Sequence, residues 1–290
     1  MRVYNHKFHD LYKKGLRPLE DVDYNGKFLT LAQNVKPSPA GLIDIEKYVR
    51  SFVLNEDAQI FVTYKEIYVL TSTQIYKVSG SSLISVSTTT TAGGLWSCAD
   101  FREYIVFTNG LVTAIRNITT GVFAFDAGTI LPISGCCCNY RGILMLGALT
   151  NYPASGTYSN WVAWSDVGDA SFLDPTGATK LNIARKNLAG YIPMPWKGTI
   201  WHVIPLDKNV IVYGDNGITV LYHTQVDPVA AGTFGIKHLS DMGIMNKGAV
   251  VSNGKEDAGS IHYFIDKAGW FCMIDNNLEI KRLGYKEYMA

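Results

Sequence analysis

Charge of one sign is what this chain lacks first: 26 Lys and Arg stand against 25 Asp and Glu, a formal net charge of +1. No overall field draws in nucleic acid or an anionic membrane, so any contact with DNA has to be local. Charge of either sign is also scarce, at 18% of residues, whereas apolar residues make up 47% and aromatics 12%. Material for a core is ample, and this balance predicts a surface partly covered by partners. No apolar run reaches the ~18 residues that a membrane helix requires. The start, MRVYNHKFHDLYKK, lacks the apolar core of a secretory signal, so the expectation is synthesis in a cytoplasm and no membrane insertion. Cysteines are few and odd in number: Cys98, Cys136, Cys137, Cys138 and Cys272. Three adjacent cysteines do not space themselves like a disulfide framework, which predicts reduced thiols.

Motifs that carry chemistry are missing too. The histidines His6, His9, His202, His223, His238 and His262 form no HExxH and no close spacing with carboxylates. His6 and His9 could share a metal only on a helix; a solvated arm is the simpler reading. Cys136-Cys137-Cys138 has the wrong spacing for zinc, because neighbours on a strand point to opposite faces, and reads as small core residues. Neither a GxSxG elbow nor a GxxxxGK[ST] phosphate loop occurs. Asp166 with Asp169, or Asp215 with Asp266, are the carboxylate pairs that a glycosidase would need. Each of these aspartates sits where turn geometry already favours Asp. The expectation is a non-enzyme with no catalytic, cofactor-binding or metal-ligating residues and no cofactor.

What is present is strand after strand, punctuated by turns. Residues 1–20 mix Lys13, Lys14 and Arg17 with Tyr4, Phe8 and Tyr12 and read as an N-terminal arm or a first helix. Tyr24-Asn25-Gly26-Lys27 has hairpin chemistry ahead of Phe28–Leu31, and the prolines of 36–41 break any regular element. Residues 42–54 fit either a short helix or a strand. Short strands rich in β-branched and aromatic residues then follow at Gln59–Tyr64, Ile67–Thr71 and Ile75–Val78. A polar connection over Ser79–Gly94 separates these from Trp96–Asp100, Tyr104–Thr108, Leu111–Arg116 and Val122–Phe125. Further strands are expected at Ile143–Leu146, Trp161–Ser165, Ile200–Ile204, Val210–Tyr213, Ile218–Tyr222, Ala249–Ser252, Ile261–Ile265 and Trp270–Ile274.

The central turns Gly26, Thr73, Gly110, Gly168, Gly217 and Gly269 lie 47, 37, 58, 49 and 52 residues apart. Propeller blades repeat every ~40–50 residues, so unequal outer loops on four-stranded blades would give this irregular period. The absence of helical patterns between strands argues against a βαβ fold. The predicted fold is all-β: a β-propeller of five or six blades of antiparallel strands, a single domain over residues 21–290 behind the arm. Glu279–Leu283 or Phe28–Leu31 would close the ring. Trp161, Trp164, Trp196, Trp201 and Trp270 fall on or beside strands and read mainly as packing between blades. Lys180, Arg185 and Lys186 gather loosely in the loop Asp174–Gly190, which reads as solvated, with contact to DNA or an acidic subunit as the alternative. The stretch WSDVGDASF approaches the Asp-box that marks a blade corner in sialidases but misses its spacing; it supports a corner and no activity.

Several phrases together carry a resemblance. Leu31–Leu42 (LAQNVKPSPAGL), Tyr104–Gly121 (YIVFTNGLVTAIRNITTG), Trp164–Phe172 (WSDVGDASF) and Tyr263–Tyr288 (YFIDKAGWFCMIDNNLEIKRLGYKEY) resemble β-propeller tail proteins of tailed bacteriophages. Among these are the tail hub or DNA-stabilisation proteins and the nozzle proteins of short-tailed phages. The resemblance implies a virion protein, assembled in the host cytoplasm into a ring, typically hexameric, beside portal, adaptor or other tail proteins. Such a ring closes or lines the channel through which DNA leaves, without sequence-specific binding, and the resemblance brings no catalytic residue. The loops Ser79–Gly94, Thr150–Asn160 and Asp174–Gly190 would meet neighbours. The alternative is a carbohydrate-binding or glycan-hydrolysing propeller that recognises a host surface.

Overall fold

The computed structural model describes residues 35–38, 41–44, 54, 57–88, 94–126, 131–170, 172, 189–224, 234–253 and 260–284. The chain divides into two compact units, Met1–Val53 and Leu54–Ala290. In the first, β1 (Val35–Ser38) and β2 (Gly41–Asp44) pair antiparallel, with Val35 opposite Asp44 and Ser38 opposite Gly41. The prolines expected to interrupt regular structure instead flank and enter this hairpin. Pro37 is tolerated because both strands of a two-stranded ribbon are edges, where a missing N–H leaves no ladder broken. Residues 42–44, left open between helix and strand, are strand. The arm boundary at residue 20, the turn at Tyr24–Lys27, the strand Phe28–Leu31, and His6 and His9 lie outside the described residues.

The second unit holds five four-stranded antiparallel sheets. Blade 1 is β3 (Ala58–Val62), β4 (Ile67–Thr71), β5 (Gln74–Ser79) and β6 (Ser82–Thr88). Blade 2 is β7 (Ser97–Phe101), β8 (Tyr104–Thr108), β9 (Thr113–Asn117) and β10 (Phe123–Asp126). Blade 3 is β11 (Ile133–Tyr140), β12 (Ile143–Thr150), β13 (Thr157–Trp164) and β14 (Gly190–Pro193). Blade 4 is β15 (Ile200–Leu206), β16 (Asn209–Gly214), β17 (Ile218–His223) and β18 (Phe234–Ser240). Blade 5 is β19 (Val250–Ser252), β20 (His262–Ile265), β21 (Phe271–Ile274) and β22 (Ile280–Gly284). Within each blade the strands pair in sequence order, and the described residues contain no helix. First strands of adjacent blades approach one another, β7 against β11 and β11 against β15. The fold is a β-propeller, with five blades among the described residues.

A blade has two faces, and neither can be buried within the blade itself. Stacking solves this, and alternation along each strand sends side chains to both seams. On β11, Cys136 and Cys138 join the core between blades 3 and 4, while Cys137 joins the core between blades 2 and 3. On β13, Val162 and Trp164 face blade 4, and Trp161 and Ala163 face blade 2. Two further cores join blades 1 and 2 around Tyr68, Ile75 and Phe107, and blades 4 and 5 around Tyr213, Phe264 and Ile274.

The first hairpins of blades 2, 3 and 4 are closed by two-residue turns, shown by the pairs Phe101–Tyr104, Tyr140–Ile143 and Leu206–Asn209. The first residue of each turn is left-handed without being glycine: Arg102 (φ 57°), Arg141 (φ 49°) and Asp207 (φ 51°). This suits the primed turns that match strand twist. Two connections differ from expectation. Ser79–Gly94 is not one polar loop but contains β6, whose alternating serines masked its strand character. Thr150–Asn160 is not a long loop either: β12 runs through Thr150, β13 begins at Thr157, and only 151–156 lie between. Glu279–Leu283 falls on β22, the outermost strand of blade 5.

Candidate functional site

The blade corner after β13 places the aspartates first considered as a pair. Trp164 is fully buried, 5.1 Å from the ring of Phe234 on blade 4. Ser165 Oγ accepts the Leu144 N–H at 3.0 Å, and the Ser165 N–H reaches the Leu144 carbonyl, fastening the corner to β12. Asp166 Oδ1 accepts the Val167 N–H at 2.8 Å, and the Gly168 N–H donates to the Gly142 carbonyl at 2.7 Å. Gly168 holds φ +72°, and a Cβ added there would fall on the Arg102 guanidinium of blade 2. Asp166 thus serves the turn that its position predicted.

The second pair is engaged in the same way. Asp215 accepts the Thr199 N–H at 3.1 Å and the Trp201 indole N–H at 2.9 Å. Asp266, 4% exposed, accepts the N–H groups of Ala268 and Trp270 at 2.9 and 2.8 Å. Lys267 links the two turns, 3.6 Å from the Asp215 carboxylate. The structure therefore brings these turns together at the seam between blades 4 and 5, with their carboxylates already occupied.

Trp96, Trp164 and Trp196 are buried, whereas Trp161, Trp201 and Trp270 are half-buried against the seams. Trp96 donates to the Thr71 carbonyl of blade 1 at 2.7 Å, and Trp196 donates to Thr219 Oγ1 at 2.8 Å. Gly214 and Gly217 leave room for the Trp196 ring, since a Cβ at either would collide with it. The cysteines are all free, and Cys136, Cys137, Cys138 and Cys272 are buried. Burial pushes the Cys136 and Cys137 thiols up to about 12 each and Cys272 to about 11, so they stay protonated and inert near neutrality. Among the described residues no group of His, Cys, Asp and Glu could hold a metal ion. Lys180, Arg185 and Lys186 lie outside the described residues.

Two arrangements had no sequence signal. Lys247, in the turn before β19, is half-buried, and no carboxylate among the described residues is bonded to its ammonium. Its Nζ donates to the Gly135 carbonyl on β11 at 2.6 Å and to the Leu95 carbonyl ahead of β7. Its own carbonyl is bonded to His202 Nε2 on β15. One residue of blade 5 is thereby tied to blades 2, 3 and 4 where their first strands converge. Burial lowers the Lys247 ammonium from its ordinary value, and burial likewise lowers His202 to about 4. A carbonyl only accepts, so His202 Nε2 carries its hydrogen.

The second is an exposed apolar row on blade 1. Ile60, Val62 and Tyr64 point to the same side of β3 and its following turn, with exposures of 70, 77 and 87%, and Ile67 lies opposite Val62. The other side of the same sheet, with Phe61, Tyr68 and Leu70, is packed into the seam with blade 2.

No family model matches the chain, and no curated protein matches it in sequence. Similar backbones occur among solved structures. The N-terminal domain of Nup159 is 8% identical with a TM-score of 0.47, over 80% of this chain and 64% of that one. Hsv2p of Kluyveromyces lactis is 10% identical with a TM-score of 0.42, over 74% and 60%. The extracellular domain of a hybrid two-component system from B. thetaiotaomicron is 11% identical with a TM-score of 0.48, over 78% and 28%. The chain spans about three fifths of the first two proteins' length.

Proposed function

We propose that this chain is a structural virion protein of a bacteriophage tail, assembling with copies of itself and with neighbouring tail proteins into a ring that closes or lines the DNA-exit channel. The observation that carries the proposal is the exposed row Ile60, Val62 and Tyr64. A contiguous apolar surface of this kind, on an otherwise well-packed blade, is the type of surface that subunit contacts cover. Its other supports are the sequence phrases that resemble those of phage tail propellers and the engagement of Asp166, Asp215 and Asp266 in turns. The role is mechanical: a rigid blade stack holds its partners in register, and near-neutral charge lets DNA pass without strong retention.

The experiment is mass measurement of the purified chain by light scattering, together with detection of the chain in purified particles. The expected result is a multimer in solution or a stoichiometric particle component. Val62→Lys with Tyr64→Lys should reduce the assembled mass while leaving the melting temperature nearly unchanged, because exposed positions contribute little to the fold. A stable monomer that is absent from particles overturns the reading.

A further inference from the structure

Where the first hairpins of blades 3 and 4 turn back, a cavity of about 530 Å³ opens between them. Its floor is apolar and buried, formed by Tyr140 and Ile143, and Val167, 50% exposed, adds an apolar wall. Arg141, Lys208 and His223, all exposed, also line it, and none of the lining residues is a carboxylate. An apolar floor inside a basic rim is the layout of a pocket that takes a side chain from a protein partner. The buried centre supplies the contact, and the charged rim selects what flanks it.

The floor and rim are held in place. Tyr140 donates its O–H to the Lys208 carbonyl at 2.5 Å, joining the two hairpins across the seam. The ring of Phe234 lies 6.0 Å from Tyr140 and 5.7 Å from His223. The Arg141 guanidinium stands 5.6 Å from the Tyr140 ring centroid, a distance at which cation and ring attract. Burial raises the Tyr140 phenol most; the smaller influence of Arg141 lowers it, and that of Asp207 raises it. One carboxylate, Asp207, therefore stands close enough to oppose the cations of the rim.

A basic rim selects an acidic partner, and the chain itself carries a matching segment. Leu19-Glu20-Asp21-Val22-Asp23-Tyr24 is the densest acidic stretch of the sequence, with three carboxylates, three apolar side chains and no Lys or Arg. It lies outside the described residues. We propose that the cavity receives residues 19–24 of a second copy, with an apolar side chain on Tyr140 and Ile143 and carboxylates on Arg141 and Lys208. A guanidinium holds a carboxylate through two parallel N–H···O bonds, which sets the register of the segment. The contact is head-to-tail, the kind that builds rings when its rotation closes. It rests on the reading of the chain as a self-assembling ring and names one surface through which copies join.

The test uses a synthetic peptide of residues 18–25 and, as receptor, the full chain with Glu20→Gln, Asp21→Asn and Asp23→Asn, whose own segment no longer competes. Calorimetric titration should give a Kd below ~1 mM, and a peptide with the same three substitutions should bind about tenfold more weakly. In the receptor, Arg141→Asn should weaken binding about tenfold, whereas Asp207→Asn should tighten it about fivefold. Both residues open two-residue turns in the left-handed region, which asparagine accepts, so a fold defect does not produce opposite shifts. If thermal melting shows that Arg141→Asn fails to fold, Asp207→Asn and the loss of affinity with rising ionic strength decide. Light scattering of the receptor beside the native chain separates this contact from assembly in general. A native multimer and a receptor of lower mass support the link; equal multimeric masses overturn it and leave the ring standing. A native chain that stays monomeric overturns the link between copies, while its presence in particles still decides the reading beneath it. No peptide binding, equal binding of the neutralised peptide, or unchanged affinity in the folded variants would each overturn the proposal.

Discussion

His262 is fully buried between blades 4 and 5 and is fixed in one tautomer by its neighbours. Nε2 lies 2.9 Å from the Pro205 carbonyl, which only accepts, so Nε2 carries the hydrogen and Nδ1 accepts the Tyr213 O–H at 2.9 Å. Burial lowers this imidazole to about 4 from an ordinary value of 6.5, and His202 is lowered to the same extent. Between those values the unfolded chain binds protons that the folded chain refuses, so stability falls as pH drops from 6.5 toward 4 and is level above 6.5. The loss from His262 alone is on the order of 3 kcal/mol. Urea midpoints measured across this window should show it, and His262→Gln should begin less stable at pH 7 yet lose less on acidification. Equal pH slopes for the two proteins would refute the assignment. Glu66 extends the acid loss to lower pH. Burial opposes its ionisation, but hydrogen bonds from Lys77 and Tyr68 and the Arg116 charge hold its carboxyl below 4.5. Its contribution is therefore present above that value and disappears beneath it.

At the scale of the element, the turns decide most. Gly168 adopts φ +72°, where a β-branched residue is strongly disfavoured. Gly168→Val should destabilise the protein by about 1–2 kcal/mol or more, since the left-handed conformation alone carries that penalty for a residue with a Cβ. Asp169→Ala should cost less, and thermal melts of the two variants compare them directly; equal melting temperatures would remove the turn from the argument. These corners were legible because glycine and aspartate announce turns locally, and the strands between them because β-branched and aromatic residues cluster between such markers. β6 was hidden by the serines of SLISVST, and β14 by its brevity and by Pro193. The cysteine triplet was read correctly as core, since alternation along one strand is local information. Lys247 and the tie between the hairpins of blades 3 and 4 could not be read in this way. Lys247 meets Leu95 152 residues away in sequence, and Tyr140 meets Lys208 across 68. Only the stacking of blades makes such partners adjacent.

Among the described residues, neighbouring blades meet at four seams, and Lys247 ties across them. Each blade core involves only its neighbours, whereas Lys247 joins blade 5 to blades 2 and 3 by bonds to backbone carbonyls. Lys247→Met keeps the length of the side chain but leaves those carbonyls without its ammonium. The expected loss is about 1–3 kcal/mol, as for other buried acceptors stripped of a donor. A broader denaturant transition should accompany it, because the remaining coupling is between nearest neighbours alone. An unchanged midpoint and slope would show that the tie contributes nothing to cooperativity. The blade order has a further consequence for the birth of the protein. Every blade is one uninterrupted stretch of chain, so a ribosome releases it complete before the next begins, and each newcomer finds its partner face already formed. Folding can follow synthesis one seam at a time, and the growing chain never has to hold a strand in reserve for a distant mate. Lys247 arrives with blade 5, so the cross-brace forms only once that blade has been made.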